Sequence, residues 1–474
     1  MRGISMQQHY LANGLAEFIG TVEYGALPAE IVVKAKSCLL DNLGLAAGGS
    51  ESGASRAVFG ALDRLGGPEE ATVVSRKRRM PAHLAALVNG TMCHSNDFTD
   101  TILKTVIHCG PVVVPTALAM CERQKLSGRE LLLLVVLGYE IAGRVAAAIN
   151  SKPAMVHHKK GFHATSTCGV FGAAAIAARA LGLSTVQTAS ALGQAGSSSS
   201  GLIESITGPV GADTFRTHPG KAAHDGILAA LFVEQGLTGP HSVFEGRDGF
   251  LHAYSDSDRY SVAPLQAVNA GRFQIADVAV KYHNGTHAIA SAVDALQSIT
   301  EQHPITPDQV RSIEVFVPSM HAYIGGDDKG TLYRPPSYSK AQMSLPFTLA
   351  TALVHGEVFL DQYTSENIQH PVTLGVASKV KVTADADMDE MQNAGKWPAR
   401  VVLRTTSGQE FQGSVEYPRG SPQRPLTSSQ LETKFRRLSE RKLGGDAQDK
   451  VLELVDNIEQ LEDIRVLTTA MAGE

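Results

Sequence analysis

The hydrophobic period of the chain changes near residue 270 and changes back near residue 425. Up to about residue 265, apolar residues recur three and four positions apart, which is the spacing of one face of an α-helix. Pro28 is suited to open such a helix, and Gly48 and Gly49 are suited to end it. The same spacing predicts three further long helices, at 129–148, 169–181 and 222–235.

After residue 270 apolar and polar residues alternate, which is the pattern of a half-buried β-strand. The alternation predicts one strand at 313–317, ended by Pro318, and another at 380–382. Residues 400–417 read as a β-hairpin with its turn at 407–408. This part of the chain is therefore predicted to be α+β.

From residue 427 the helical period returns, with Ser429 and Glu432 as a predicted capping box and a last helix at 451–461. We expect a mainly α protein in which a large all-helical domain contains an inserted, smaller α+β domain. The predicted boundaries are 1–270 for the N-terminal part of the helical domain, 271–420 for the insertion, and 421–474 for C-terminal helices that return to the helical domain.

The most apolar segment, residues 131–148, contains Glu140 and Arg144. Charges in these positions are rare in a bilayer-spanning helix, so a buried core helix is predicted. The first ten residues have neither the apolar run of a secretory signal nor the Arg-rich pattern of a transit peptide. We expect a cytoplasmic protein with no membrane partner.

Charge and cysteine content exclude further classes. The net charge is -5 and no basic stripe is visible, which argues against a nucleic-acid partner. The five cysteines contain no CxxC pair, so neither a disulfide framework nor a zinc ribbon is indicated.

Small polar side chains follow a helix that is predicted to end near Met92. Asp97 and Asp100 lie in this segment, and His108 follows within a few residues. A carboxylate close to an imidazole fixes its tautomer and raises its basicity, as proton transfer requires. Helix capping or turn formation is the equal alternative for both carboxylates.

Other candidates are His163, which precedes the helix predicted from Gly169, and Lys281. The amide groups at that helix start would attract an anionic substrate towards His163, although a structural histidine is the usual alternative. Lys281 stands among apolar residues, where desolvation would make it reactive; the alternative is a lysine at the edge of a strand. Further candidates for binding carboxylates are Arg216, His218, His283 and His287, with a solvated helix start as the alternative for the first two.

Motifs for other chemistries are missing from the sequence. The histidines lack HExxH or another recognised ligand spacing, so no metal site is predicted. There is no GxGxxG after a strand, no Walker loop and no GxSxG elbow. Of the chemistries considered, the sequence therefore favours acid–base catalysis by histidine, lysine and aspartate side chains on an anionic substrate.

In order and spacing, several segments resemble the MmgE/PrpD family, which includes 2-methylcitrate dehydratases, cis-aconitate decarboxylases and iminodisuccinate epimerases. The segments that carry the resemblance are DNLGLAAGG, NGTMCHSNDFTDT, IHCGPVVVPTALA, GFHATSTCGVFGAAAIAARALGL, ALGQAGSSSSGL, THPGKAAHDGILAALFVEQGLTGP, FEGRDGF, VKYHNGTHAIASAVDAL and SLPFTLATAL. They extend over some three hundred residues.

The resemblance implies a helical domain and an α+β lid with the site between them, a homodimer, and no metal or organic cofactor. It implies His108, His163 and Lys281 as acids and bases, Asp97 as the group that orients one of them, and Thr101 as a ligand of a substrate oxygen. The chain departs from the family pattern at three places: Phe215 replaces a lysine, Phe347 stands where decarboxylases carry a tyrosine, and the segment 281–287 is about three residues shorter.

The function that follows is a cofactor-free lyase, most simply a hydro-lyase, that abstracts a proton α to a carboxylate of a small polycarboxylate. The first alternative is an epimerase or isomerase of a dicarboxylate, which Phe215 favours because epimerisation expels no leaving group. The second alternative is a non-catalytic carboxylate-binding protein with the same fold.

Overall fold

The computed structural model describes residues 10–150, 156–207, 212–255, 259–269, 271–325 and 330–473. Helices make up 60% of the structure, so the prediction of a mainly α chain is confirmed. The α-helices are α1 (Leu11–Thr21), α2 (Ala29–Gly49), α3 (Gly53–Leu62), α4 (Ala82–His94), α5 (Gly110–Gln124), α6 (Gly128–Ile149), α7 (Val156–Lys159), α8 (Ala164–Thr167), α9 (Gly169–Ala180), α10 (Thr185–Ser198), α11 (Glu204–Thr207), α12 (Thr214–Glu234), α13 (Phe250–Tyr254), α14 (Ala263–Gln266), α15 (Ala290–Gln302), α16 (Tyr338–Gln342), α17 (Leu345–His355), α18 (Ser365–Ile368), α19 (Pro371–Ala377), α20 (Ala386–Asn393), α21 (Ser428–Ser439), α22 (Gly445–Asp456) and α23 (Arg465–Ala470).

The strands form three small sheets. They are β1 (Ala71–Val73), β2 (Arg78–Met80), β3 (Thr101–Ile102), β4 (Val278–Ala279), β5 (Val310–Val317), β6 (Val380–Ala384), β7 (Ala399–Thr405) and β8 (Glu410–Val415). The largest sheet has the order β6-β5-β7-β8, with β5 and β6 parallel and the other pairs antiparallel. The predicted strands and the predicted hairpin are confirmed, and α15 packs on β7 and β8.

Buried apolar side chains form two clusters. The first contains most of those between Ala12 and Val280, together with C-terminal residues from Leu431 to Met471. Within it α21 packs against α2, so the C-terminal helices join the N-terminal ones. The second cluster lies between Ala288 and Leu403. That the second cluster is an inserted lid domain with the predicted boundaries stays a prediction.

Three predicted helix boundaries are wrong, two at the start of a helix and one at its end. The capping box of α21 is formed by Thr427 and Gln430 and not by Ser429 and Glu432, because the backbone is extended up to Thr427, with a ψ of 159°, and helical from Ser428. α12 begins eight residues before position 222 and continues through Pro219, which leaves the carbonyl of Phe215 without its helical partner. α22 ends at Asp456, and a short 3₁₀ turn follows.

Among the described residues, one helix has the length and apolar composition of a membrane span, namely α6. Of its most apolar 18-residue window, 94% is buried inside the protein. Glu140 and Arg144 form a buried ion pair of 2.5 Å within it. The predicted buried core helix is confirmed.

α4 and α12, which lead to the site, cross where Gly90 faces Gly220. A Cβ atom on Gly220 would lie 2.2 Å from the carbonyl oxygen of Leu87, and one on Gly90 would lie 2.7 Å from the Cα of Gly220. We expect Gly220→Ala to force the helices apart and to lower the free energy of unfolding by about 1–3 kcal/mol, the usual cost of overpacking. Urea unfolding followed by circular dichroism measures this change.

Gly60 in α3 is the matched control, because a Cβ atom there would contact nothing within 4 Å. Gly60→Ala should stabilise the chain by up to about 1 kcal/mol through its helix propensity. Equal effects of the two substitutions would show that the crossing does not need Gly220.

Candidate active site

The polar segment after α4 forms the base of the site. α4 ends at His94, two residues later than predicted, and the chain turns through Asp97 before it enters β3 at Thr101. Asp97 has a φ of 47°, in the left-handed region that non-glycine residues rarely adopt. A left-handed backbone conformation at a non-glycine residue costs free energy, and it is kept only where surrounding contacts stabilise it.

Four rings meet beside this segment and are called the imidazole cluster: His94, His108, His163 and His218. The ring centroid of His94 lies 5.3 Å from that of His108 and 5.9 Å from that of His163. Nδ1 of His163 and Nδ1 of His218 are 2.9 Å apart, so that one donates a proton and the other accepts it. The sequence prediction includes three of these rings and misses His94.

Backbone groups orient the ring of His108. Its Nδ1 lies 2.8 Å from the carbonyl oxygen of Asp100, which only accepts, so Nδ1 carries the proton and Nε2 is free to act as a base. The hydroxyl of Thr101 lies 3.0 Å from the same Nδ1. The carboxylate of Asp100 instead accepts from the Tyr139 hydroxyl at 2.6 Å and from the Gly110 amide at 3.1 Å. The carbonyl of Asp100, not its carboxylate, therefore fixes the tautomer.

Burial keeps the imidazole cluster uncharged at neutral pH. Desolvation lowers the pKa of His108 and the pKa of His218 to about 4, helped by Lys281 at His108. Burial also holds the pKa values of His94 and His163 well below 6.5, with neighbouring imidazoles adding to the effect. All four rings are thus able to accept a proton.

Asp97 and Lys281 form a buried ion pair next to the cluster. Nζ of Lys281 lies 2.8 Å from Oδ1 of Asp97 and 2.9 Å from its carbonyl oxygen. Burial opposes the charge on Asp97, but Lys281 and Arg216 outweigh it and lower the pKa of this carboxyl. Burial lowers the pKa of Lys281, and the charge of Asp97 opposes that shift. Among the predicted acids and bases, Lys281 is the one that Asp97 contacts.

Arg216 connects the two hydrophobic clusters through its guanidinium group. Only 2% of its surface is exposed, and its nitrogen atoms donate to Oε1 of Gln342 at 2.8 Å, to Oγ of Ser339 at 3.1 Å and to the carbonyl of His94 at 3.3 Å. The ring of Phe215 lies 4.2 Å from the guanidinium carbon. A cation and an apolar ring thus stand side by side at the site.

The two predicted histidines of the segment 281–287 lie in different surroundings. Nε2 of His283 lies 2.9 Å from Asp294, which also pairs with Arg424, so His283 belongs to a separate ionic group. His287 is buried, and both of its ring nitrogens lack a hydrogen-bond partner. Burial and then Lys281 and His108 hold the pKa of His287 well below 6.5. Of the two histidines, His287 is the one whose pKa responds to Lys281 and His108, while its ring packs against Trp397.

Tyr323 is a further site residue that the sequence prediction misses. Of the whole residue 60% is exposed, but burial around its hydroxyl and the charge of Asp97 raise the pKa of that hydroxyl, which bonds with Thr286. Phe347 packs inside the second hydrophobic cluster, so the phenol hydroxyl at this site comes from a different position.

In the described ranges of the chain, no group of three or more His, Cys, Asp or Glu side chains is arranged to hold a metal ion. The Nδ1 atoms of His163 and His218 bond with each other.

Comparison with known proteins extends over the whole chain. Human cis-aconitate decarboxylase is 28% identical over 481 aligned positions, which cover 98% of this chain and 95% of the human protein. The mouse cis-aconitate decarboxylase is 27% identical, with 98% and 93% covered, and a cis-aconitate decarboxylase-like protein of Aspergillus oryzae is 24% identical, with 97% of each chain covered. The MmgE/PrpD N-terminal domain model matches residues 13–263, and the MmgE/PrpD C-terminal domain model matches residues 283–460. Because these two matches cover most of its length, the chain belongs to the MmgE/PrpD family.

Proposed function

We propose that this chain is a lyase that acts on a small polycarboxylate by proton transfer at a carbon next to a carboxylate. The relatives that match over the full length are named as cis-aconitate decarboxylases, which act on a tricarboxylate. The observation that carries the proposal is the imidazole cluster, which is neutral and buried and lies beside the cations Lys281 and Arg216.

This combination suits a polyanionic substrate. Lys281 and Arg216 attract its carboxylates, and buried cations act strongly because little water screens them. A bound polyanion also raises the pKa of the nearby imidazoles by Coulomb attraction. A ring such as His108, with a pKa of about 4 in the free protein, thereby becomes a stronger base only when substrate is present.

The proposed chemistry needs one base and one acid. In a dehydration the base removes the proton on carbon, the C–H electron pair becomes the C=C bond, and hydroxide leaves from the β-carbon and is protonated to water. In a decarboxylation the C–C bond to the carboxylate breaks, CO₂ leaves, and the remaining electron pair on carbon takes a proton. Nε2 of His108 is a base for the first route, and the protonated groups near the site include Lys281 and Tyr323.

Contacts between the clusters support a lid. The guanidinium of Arg216 donates to Oε1 of Gln342 in α16. The side-chain amide of Gln342 donates in turn to the carbonyl oxygen of Asn96 and to Oδ1 of Asn284. We propose that the part of the chain around the second cluster closes over the imidazole cluster and excludes water during the reaction. Separation along these hydrogen bonds would admit substrate.

An epimerase is the second candidate, and Phe215 favours it. Its ring lies against Arg216 and 5.8 Å from the ring of His94, at a position where a lysine would add a proton donor. Epimerisation removes and returns one proton and expels no group, so it needs fewer donors. The same bases would serve both reactions.

One experiment separates these reactions. The protein is incubated in heavy water with citrate-like, aconitate-like and aminodicarboxylate compounds, with and without a metal chelator, and products are read by mass spectrometry and CO₂ release. We expect loss of water or CO₂ that the chelator leaves unchanged, because histidine and lysine suffice for the chemistry. Deuterium incorporation with unchanged formula would establish the epimerase instead. A chain that binds these compounds without exchange or product would overturn both enzymatic proposals.

A further inference from the structure

Lys434 is a buried lysine that reaches the site from the C-terminal helix α21. Only 4% of its surface is exposed. Its Nζ lies 2.7 Å from Oδ1 of Asp41, 2.9 Å from the carbonyl oxygen of Lys281 and 3.3 Å from the carbonyl oxygen of Phe98. The ammonium also stands 4.1 Å from the centroid of the Phe98 ring. The two carbonyl oxygens accept hydrogen bonds from the ammonium group, and the carboxylate of Asp41 forms an ion pair with it.

Two of these acceptors belong to the backbone that carries the ion pair of the site. Phe98 directly follows Asp97, and the other carbonyl belongs to Lys281 itself. Lys434 therefore holds the backbone on both sides of the contact between Asp97 and Lys281. The left-handed backbone at Asp97 needs such support, because its conformation is unfavourable in isolation.

Lys434 also changes the electrostatics of Lys281. Burial is the main cause of the lowered pKa of Lys281, and the charges of Lys434 and Arg216 lower it further, while Asp97 raises it. On the other side, Asp41 and Asp100 favour the charged form of Lys434, whose pKa burial lowers. The charged groups that act on Lys281 thus include Asp41, Asp97, Arg216 and Lys434, and Asp100 acts on Lys434.

A purely structural role explains this arrangement poorly. A buried ion pair such as Asp41 with Lys434 adds little stability compared with apolar residues of similar volume, because both charges lose their hydration. Fastening α21 to α2 would need only apolar contacts, and the ring of Phe435 already lies 3.2 Å from the Cβ position of Gly44. The lysine does something an apolar residue cannot, namely donate to the carbonyls of Lys281 and Phe98.

We propose that Lys434 is a positioning residue that holds Lys281 and Asp97 in register with the imidazole cluster. The role rests on the proposed function, in which Lys281 binds substrate or transfers a proton. Lys434 itself does not touch the reacting atoms.

The test compares Lys434→Met with the double variant Asp41→Asn, Lys434→Met. In the single variant Asp41 is left as a buried, unpaired carboxylate, so both stability and kcat should fall. The double variant removes that charge and should recover most of the urea midpoint. Its kcat should stay about 10–100-fold below wild type with KM changed less, because neither Asn nor Met donates to the carbonyl of Lys281 and a displacement near 1 Å has this cost.

Arg144→Met is the stability control. Arg144 forms a buried ion pair with Glu140 and donates to two backbone carbonyls, but it contacts none of the site residues. It should lower the urea midpoint without changing kcat per folded molecule. If the double variant regains wild-type kcat with its stability, Lys434 has only a structural role and the proposal is wrong.

A readout without substrate separates this proposal from the proposed function. Nuclear magnetic resonance of isotope-labelled lysine follows the titration of Lys281 directly. We expect the pKa of Lys281 to fall in the double variant Asp41→Asn, Lys434→Met, because the contact with Asp97 that raises this pKa is loosened, while the removed charges of Asp41 and Lys434 act on Lys281 in opposite directions. An unchanged titration would overturn the positioning role even in an active enzyme. A lowered pKa in a protein that turns over no polycarboxylate would keep the positioning role and refute the lyase.

Discussion

His163→Ala is expected to lower kcat by about 10²–10⁴-fold while KM changes by less than about tenfold, the usual pattern for loss of a general acid or base. His163 is buried and uncharged, and it shares a proton with His218 across 2.9 Å. A proton that leaves substrate carbon can pass to this pair, whose charge is favourable only when the substrate anion is present. The interaction therefore strengthens in the transition state, which lowers the barrier.

His157→Ala is the matched control. His157 is also buried, six residues before His163, with a pKa lowered by burial to about 4. It bonds with the hydroxyl of Thr167 at 2.7 Å and lies outside the imidazole cluster. We expect this variant to lose stability and to keep its turnover per folded molecule. If His163→Ala melts early but turns over normally, His163 is a structural histidine and the central assignment fails.

The sequence predicts the elements well where one periodic signal dominates. The apolar spacing from Ile31 to Leu43 is compatible only with a helix, and the alternation at 313–317 only with a strand. Both elements form as predicted. Helix starts are less determined, since both Thr427 and Ser429 satisfy the capping pattern and only the course of the preceding chain selects Thr427. A proline inside a pattern usually ends a helix, which is why the first turns of α12 before Pro219 were not predicted.

The site shows a similar division. Residues in recognisable segments, such as His108, His163 and Lys281, do converge. His283 and His287 differ by only four positions, and no local signal tells which of them pairs with Asp294. Residues supplied by other segments, such as Tyr323 and Lys434, reach the site through tertiary packing alone.

The free energy of unfolding should fall steeply as the pH is lowered from 6.5 to 4. Burial lowers the pKa of four histidines to about 4, namely His108, His157, His218 and His321. An exposed histidine titrates near 6.5. Between pH 6.5 and 4 these histidines bind protons in the unfolded chain but not in the folded chain, so a lower pH favours unfolding. Each of these histidines therefore costs up to about 3 kcal/mol at pH 4, since one pKa unit is worth about 1.4 kcal/mol.

Asp100 acts in the opposite direction but cannot cancel this effect. Burial raises its pKa to about 6, so the folded chain binds this proton first and gains stability as the pH falls towards 4. At pH 5 the four histidines and Asp100 together leave the unfolded chain with about three more protons, which corresponds to about 4 kcal/mol for each pH unit. Urea unfolding followed by circular dichroism at several pH values measures this slope. His157→Gln should reduce this slope by the amount that corresponds to about one bound proton, since the amide of glutamine does not titrate. If the free energy of unfolding stays constant between pH 6.5 and 5, the buried imidazoles are already charged in the folded protein.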